Sequence, residues 1–452
     1  MKKIYSLIAS LFLLTSGAYA QSPWVIQNVG YVRPSNYPFD IDIVDASTVW
    51  TCAFPGDGSG EGIQEFSTTN DGGNTWTAGF VTLDTNYRFA GIKGLSTSTA
   101  FALMYNNSVG GGALFKTIDS GLNWGKVDST QLFVDPASFP DVIHFWDAAH
   151  GVIMGDPIGG YFEIYTTLDS GSTWTRVPQA NIANPVAGEY GIVNDFCVND
   201  STMWFGTNKG RIYKSIDGGQ NWTASTVVAN VSTVSGIAFR DSLNGLAVKS
   251  TTAGVNSFYS TSNGGTSWTA KTYTGTLFFS SLVSVPGTST YYSAGGGTGG
   301  RGSSYSINDG SNWILVDTAG NGTTQGYTSI EFLNNLIGWA GSFAVDQFTD
   351  GIYTYAGAAV GLTEPVGISL NNSISAYPNP TQGLVYLNSG EEVNGLAIVS
   401  VYDFIGKQVF QQQMNINKMV PVMLDIRKFK AGVYSVKVEV NQQSFVTRII
   451  KN

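Results

Sequence analysis

A chain of 452 residues that is 42% hydrophobic has ample material for a large core and, at this length, for more than one domain. Two cysteines exclude a disulfide scaffold. The formal net charge of −9 is unevenly spread, with residues 373–452 net basic and the body before them strongly acidic, a balance that repels phosphate backbones and excludes nucleic acid as the expected partner.

The chain opens with Lys2 and Lys3, an apolar run from Ile4 to Leu14, and Ala18-Tyr19-Ala20 before Gln21. This is the pattern of a secretory signal peptide over residues 1–20, and its apolar run is too short for a membrane span. No Cys follows the cleavage position, so no lipid anchor is expected there.

From residue 24 to about 356 one unit recurs. Each copy begins with alternating apolar residues, as in Ile41 to Asp45, Val142 to Asp147, Gly236 to Asp241 and Ile330 to Asn334. A turn and a second apolar run follow, such as Val49-Trp-Thr-Cys52 or Ile337-Gly-Trp-Ala340. Period-two alternation bounded by Asp, Asn and Gly predicts two paired strands. A third strand ends at an aromatic (Phe115, Tyr165, Tyr213, Tyr259), and then comes a fixed motif. Its copies are Thr69-Asn-Asp-Gly-Gly-Asn-Thr-Trp76, Thr117-Ile-Asp-Ser-Gly-Leu-Asn-Trp124, Thr167-Leu-Asp-Ser-Gly-Ser-Thr-Trp174, Ser215-Ile-Asp-Gly-Gly-Gln-Asn-Trp222, Thr261-Ser-Asn-Gly-Gly-Thr-Ser-Trp268 and Ser306-Ile-Asn-Asp-Gly-Ser-Asn-Trp313. The tryptophans lie 45 to 50 residues apart, and each leads a fourth strand. Four antiparallel strands per unit at that period predict propeller blades.

First-strand signals occur seven times, near residues 40, 92, 142, 193, 236, 281 and 329, whereas the tryptophan motif occurs six times. The seventh unit runs out after Gly351-Ile-Tyr-Thr-Tyr355, and Trp24-Val-Ile-Gln-Asn28 resembles the missing Trp-led strand. The expectation is an all-β, seven-bladed β-propeller over residues 21–360, closed by its N-terminal strand so that no long edge is left open. In such a ring Cys52 and Cys197 fall on different sides, beyond the roughly 7 Å that a disulfide spans, and both are expected as free thiols.

The repeated motif resembles the Asp-box, or BNR repeat, of sialidases, some glycoside hydrolases and photosystem II stability-factor-like propellers. In it Asp71, Asp119, Asp169, Asp217, Asn263 and Asn308 accept backbone N–H groups, Gly takes positive φ, and the tryptophans pack between blades. The resemblance implies a propeller and places these residues in turns on the rim, away from any ligand.

Residues 361–372 read as a linker, and short alternating strands over 373–452 predict a small antiparallel β-sandwich. This segment resembles the C-terminal sorting domain of the type IX secretion system through Tyr377-Pro378-Asn379-Pro380-Thr-x-Gly383, Tyr402-Asp-x-x-Gly406-Lys407, Ala431-Gly432-Val-Tyr434 and a terminal Lys451. The resemblance implies that the secretion machinery is a partner, that the domain is removed in the linker, and that the propeller is released or held at the surface of a Bacteroidota-type cell.

With the repeat subtracted, little chemistry remains. The segments entering the first strands carry Phe39, Phe89, Phe139, Tyr190, Phe279 and Tyr327, with Val234 in the fifth, either as inter-blade packing or as an aromatic platform at the tunnel mouth. Arg33, Arg88 and Arg301 are the arginines that a sialidase carboxylate clamp would need, and Tyr190 beside Glu189 is the corresponding nucleophile pair. Asp141, Asp156 and Glu189 are the carboxylates open to a glycoside hydrolase. His144 and His150 lie in one blade without a metal-ligand pattern, Asp57-Gly-Ser-Gly-Glu61 resembles a calcium loop only in composition, and Gly295 to Gly302 lacks the elements of a phosphate loop. No metal and no cofactor is expected. The sequence points to an exported, monomeric module that binds a glycan or a protein, with a glycoside hydrolase and a structural or assembly factor as the alternatives.

Overall fold

The protein's structure, a computed structural model, describes residues 23–451 except 60, 128–130, 229–232, 251–255, 298–299, 319–325, 357–373, 390–394, 404–406, 417–420 and 441–442. The signal sequence, the linker and Gly406 therefore lie outside the described residues. The chain divides into two compact units, Met1–Gly361 and Leu362–Asn452.

The first unit is all-β apart from a three-residue 3-10 turn, Gln179–Asn181, and is built of small antiparallel sheets arranged one after another along the chain. The first sheet orders Asn36–Ile43, Val49–Pro55, Glu65–Thr69 and Thr77–Phe80 as consecutive neighbours. The second to fifth sheets repeat this meander, beginning at Tyr87–Gly94, Pro140–Phe145, Gly191–Asn199 and Thr233–Phe239. The sixth begins at Ser281–Ser284 and adds the short strand Thr274–Gly275, parallel to Asn312–Asp317. The seventh sheet has Ser329–Asn334, Ile337–Asp346 and Thr349–Tyr355 from its own stretch of chain. Its outer strand is Trp24–Asn28, antiparallel to Thr349–Tyr355, with Trp24 opposite Tyr355 and Asn28 opposite Gly351.

The motif turns hold these sheets together, and all six use the same bonds. In the first, Thr69 Oγ1 donates to Asp71 Oδ1, accepts from Gly73 N at 2.9 Å, and Asp71 Oδ1 accepts from Thr75 N at 2.9 Å. Two successive residues take positive φ. The second is always Gly, because its Cα touches the sheet before it: a Cβ on Gly121 would lie 2.3 Å from the Phe66 ring. The motif tryptophan then enters the same seam. Trp124 packs edge-on to Trp50 and Phe66, and Trp76 Nε1 donates to Gln27 Oε1 of the N-terminal strand. Each seam has its own apolar cluster drawn from two neighbouring sheets. One of them joins Trp339 and Ile352 of the seventh sheet to Ile41 and Val49 of the first.

The innermost strands do not pair as a ladder across these seams, and side chains clip them instead. Asp40 Oδ2 accepts from Ile92 N at 2.9 Å and Asp42 Oδ2 from Gly94 N at 2.7 Å. Cys197 Sγ accepts from Phe239 N at 3.2 Å, Ser284 Oγ donates to Phe239 O, and Ser329 Oγ donates to Pro38 O at 2.9 Å. Both cysteines are free, and burial pushes the Cys197 thiol up to about 12, so neither is a nucleophile at neutral pH.

The glycine-rich chain on either side of residues 298–299 extends two strands. Tyr291–Gly297 and Gly300–Ser306 stay paired until Gly297 meets Gly300. Glycine is needed there because a Cβ on Gly295 would lie 2.4 Å from the Gly300 carbonyl.

The second unit packs a three-stranded sheet (Ile374–Tyr377, Leu384–Ser389, Val422–Asp425) on a four-stranded one (Gln408–Ile416, Gly395–Tyr402, Gly432–Val440, Gln443–Lys451). Val385, Leu387, Val399, Val401, Val436 and Val438 are among the buried residues they share. The sorting-motif residues have visible structural work. Asn379 Oδ1 accepts from Ile450 N and its Nδ2 donates to the Arg448 carbonyl, both at 2.8 Å, which fastens the motif loop to the last strand. Gly383 lies against Arg427, Lys407 N donates to Asp403 Oδ1, and Tyr434 is buried with its hydroxyl on the Lys430 carbonyl.

Candidate functional site

A cavity of about 920 Å³ runs between the innermost strands of the first unit, and all seven sheets contribute to its wall. That volume lies within the range of ligand sites. At one end stands a cluster of half-buried rings. Tyr37 lies 5.8 Å from Phe54 and 5.0 Å from Phe343, and Phe39 lies 5.5 Å from Phe54. Tyr37, Phe39 and Phe343 line the cavity, next to Pro55 and Gly56.

Deeper in, the wall is polar. Lys93 pairs with Asp42, and Glu331 stands near both without accepting a hydrogen bond from the protein. Burial, reinforced by Asp42 and Asp40, holds the Glu331 carboxyl well above the usual carboxylate range. Burial likewise lifts Asp40 to about 6 and Asp195 to about 8; Oδ2 of Asp195 is shut off from solvent with no donor. His144 is held neutral by burial, its ring edge-on to Trp146 and Phe196.

The sequence-predicted aromatic ring is not gathered into one surface. Phe39 alone of that set lines the cavity. Phe89, Tyr327 and Val234 are buried in the seams, and Tyr327 gives its hydroxyl to Asp317. Phe139 packs tilted on Tyr105 at 4.5 Å, Phe279 packs against the seam of the fifth and sixth sheets, and Tyr190 is 48% exposed. The three arginines are dispersed: Arg33 pairs with Glu61 at the surface, Arg88 faces the Asn107 amide, and Arg301 lies opposite Gly296 in its hairpin. Glu61 is thereby committed to Arg33, and Asp57 caps the Ser59 N–H of its own loop.

The predicted carboxylates are engaged in the framework. The Glu189 side chain is fully buried, pairs with Arg211, and accepts from Thr207 Oγ1 and Val186 N, each at 2.8 Å. Tyr190 is half exposed, and its backbone N–H donates to Asn208 Oδ1. Asp141 is 1% exposed and neighbours the carboxyl of Asp156. Among the described residues, no group of three or more His, Cys, Asp or Glu side chains could hold a metal ion.

Tyr37, Phe54 and Phe343 were not singled out by the sequence. Tyr37 lies two residues before Phe39 on the same strand, which is a readable signal. Phe343 follows a register shift after Gly341, which hides its facing from any alternation pattern.

Sheets of this kind, with Asp-box turns and a walled central cavity, define a BNR-type β-propeller. Residues 109–344 match the family model of the photosynthesis system II assembly factor YCF48, more than half of the chain, and the protein belongs to that family. Residues 375–452 match the secretion system C-terminal sorting domain, which marks the chain for export by the type IX system to the cell surface or the extracellular space. Among solved structures, YCF48 bound to D1 peptide is similar at 16% identity with a TM-score of 0.51, over 74% of this chain and 97% of that one. YCF48 from Cyanidioschyzon merolae aligns at 13% identity and a TM-score of 0.32, over 74% and 99% of the two chains. A mutant Trypanosoma rangeli sialidase displaying trans-sialidase activity aligns at 10% and 0.40, over 95% and 89%. The first supports the propeller fold, and the other two are too distant to carry argument. No curated protein matches the chain.

Proposed function

We propose that the protein is a seven-bladed propeller, closed by Trp24–Asn28, that is exported and then acts outside the cell by binding a polypeptide segment at the aromatic end of its central cavity. Closure is supported by the pairing of Trp24–Asn28 with Thr349–Tyr355 and by the apolar seam between the seventh and first sheets. In this reading residues 1–20 are the signal peptide, 21–360 the monomeric propeller, 361–372 the linker that is cut, and 373–452 the domain that engages the secretion machinery.

The observation that carries the binding role is the cluster Tyr37, Phe39, Phe54 and Phe343. Half-buried rings at a cavity mouth offer rigid area at small entropic cost, as binding hot spots do. A polypeptide is favoured over a glycan because a propeller of similar fold, YCF48, is described as bound to a peptide. The glycoside hydrolase alternative is disfavoured by the burial of Asp141 and Glu189.

The test is a peptide-library and glycan-array screen of the secreted propeller, with Tyr37→Ala and Phe343→Ala as probes. Saturable peptide binding, weakened about tenfold or more by either substitution at unchanged melting temperature, supports the reading. Glycan binding alone overturns the polypeptide assignment, and turnover of fluorogenic glycosides overturns the binding role itself.

A further inference from the structure

Asp141 is a deeply buried carboxyl that the binding site does not use. It is 1% exposed, and neither of its oxygens meets an N–H or O–H donor. Its neighbour is the carboxyl of Asp156, on the adjacent strand Gly151–Ile158. Asp156 Oδ1 accepts from Gly191 N at 2.8 Å, where the chain enters the first strand of the fourth sheet, and Asp156 N donates to the Phe139 carbonyl at 2.9 Å. There is no slack at this junction: a Cβ on Gly191 would lie 2.5 Å from Asp141 Oδ2.

We infer that Asp141 and Asp156 form a proton-operated latch between the third and fourth sheets, in which the Asp141 carboxyl donates its hydrogen to Asp156 while Asp156 holds Gly191, so that loss of the shared proton releases the strand entry. Two carboxylates cannot both be ionised in contact inside a protein, and with no donor for Asp141 the hydrogen must lie between them. The strand entry depends on this bond because its ladder is broken there. Gly191 pairs with Thr207, but regular pairing resumes only at Phe196 with Phe205.

Other charged or titratable groups around the pair do not replace the proton. Tyr105, from the second sheet, faces Asp141 with Arg88 beside it, and Arg88 points its guanidinium at the Asn107 amide oxygen. Glu163, opposite Gly155 in the third sheet, is turned to Ser138 and Tyr165. From the fourth sheet the contact is the Gly191 backbone, and Glu189 just before it is held by Arg211 and Thr207.

Burial raises Asp156 to about 6 and Asp141 well above the usual carboxylate range. Free carboxyls lose their protons near pH 4, so the closed latch holds a proton that the open one releases. The latch is therefore closed in acid and opens as pH rises through the folded-state values.

Hydrogen exchange on the full secreted chain tests this between pH 5 and 9, after correction for intrinsic rates. The reporter is a peptide spanning residues 186–193, with one covering Arg211–Ser215 as reference. In the wild type, protection of the reporter falls with rising pH by up to about tenfold per unit, the limit for one proton, while the reference stays flat. Asp141→Asn keeps the reporter protected with no pH slope, since an amide donates without titrating, and Asp141→Ala lowers protection at every pH. A wild-type reporter flat from pH 5 to 9 overturns the latch even if neither variant folds, and so does an Asp141→Asn variant that keeps the wild-type slope.

Discussion

The rim of the first unit and its centre are made by opposite strategies. At the rim, six turns repeat one hydrogen-bond pattern almost atom for atom, as in Thr167 Oγ1 to Asp169 Oδ1 and Gly171 N to Thr167 Oγ1. At the centre the seams are clipped in several different ways: Asp42 holds Gly94 N, Cys197 holds Phe239 N, and Ser329 holds the Pro38 carbonyl. Turn geometry is a local problem with few solutions, so the same residues return. The central seams face a cavity, and there each residue can vary as long as its neighbour across the seam answers it.

The largest test of that contrast is the strand that has a rim-type tryptophan but no motif turn. Trp24 is fully buried, donates from Nε1 to Ser303 Oγ at 3.0 Å, and packs within 5.1 Å of Tyr355. Deleting residues 21–30 is expected to abolish a single cooperative melting transition, because it exposes the edge of Thr349–Tyr355 and removes the buried Trp24 ring together. A truncated protein that melts as the parent does would show that the ring does not depend on this strand.

Next comes a motif tryptophan. Trp222 is 3% exposed between the third and fourth sheets, and Trp222→Ala is expected to cost about 3–5 kcal/mol by chemical denaturation. A loss below about 1 kcal/mol would mean that the Asp-box hydrogen bonds, rather than the ring they carry, set the strength of the seams.

Much of the rim was legible in the sequence because each turn is written in eight consecutive residues, and the Trp24 strand could be placed by subtraction. The centre was legible only in outline. Asp195 looks like any strand aspartate, yet its side chain tucks against Gly206, where a Cβ would lie 2.5 Å from its Oδ2. That fit depends on a residue eleven positions away and on the sheet beyond it. Tyr37 and Phe343 come from opposite ends of the first unit and meet only where the first sheet adjoins the seventh. The evenly spaced aromatics, open to packing or to a platform, show the same dependence: equal spacing gives equal height in each sheet, but whether a ring turns to the cavity or into a seam is set by bulges such as those after Pro38 and Phe89.

A smaller effect separates the two regions by pH. Burial alone raises Asp195 to about 8 with no donor to offset it, against a usual value near 4. A carboxyl whose folded value is raised supports the fold fully below pH 4, and that support drains away as pH rises through about 8. Rim carboxylates carry the opposite sign: the hydroxyl of Thr173 and then its N–H hold Asp169 down to about 2, so its contribution is present above pH 4 and lost only in strong acid. Stability should therefore fall from pH 5 to 9 in the wild type and fall less in Asp195→Asn, by on the order of 2 kcal/mol at pH 9. Equal slopes in the two proteins would place the central titration elsewhere.

The smallest effect lies at the surface, where neither strategy applies. Arg33 and Glu61 make a 2.7 Å ion pair with side chains 40% and 61% exposed, so water screens the charges and side-chain entropy opposes the geometry. Arg33→Ala is expected to change stability by less than about 0.5 kcal/mol and to leave peptide binding at the Tyr37 and Phe343 cluster within twofold. The second half of that expectation is the sharper one. If Arg33→Ala weakens binding tenfold, the ligand extends past the aromatic mouth onto the loop that carries Glu61, and the surface pair is then part of the site.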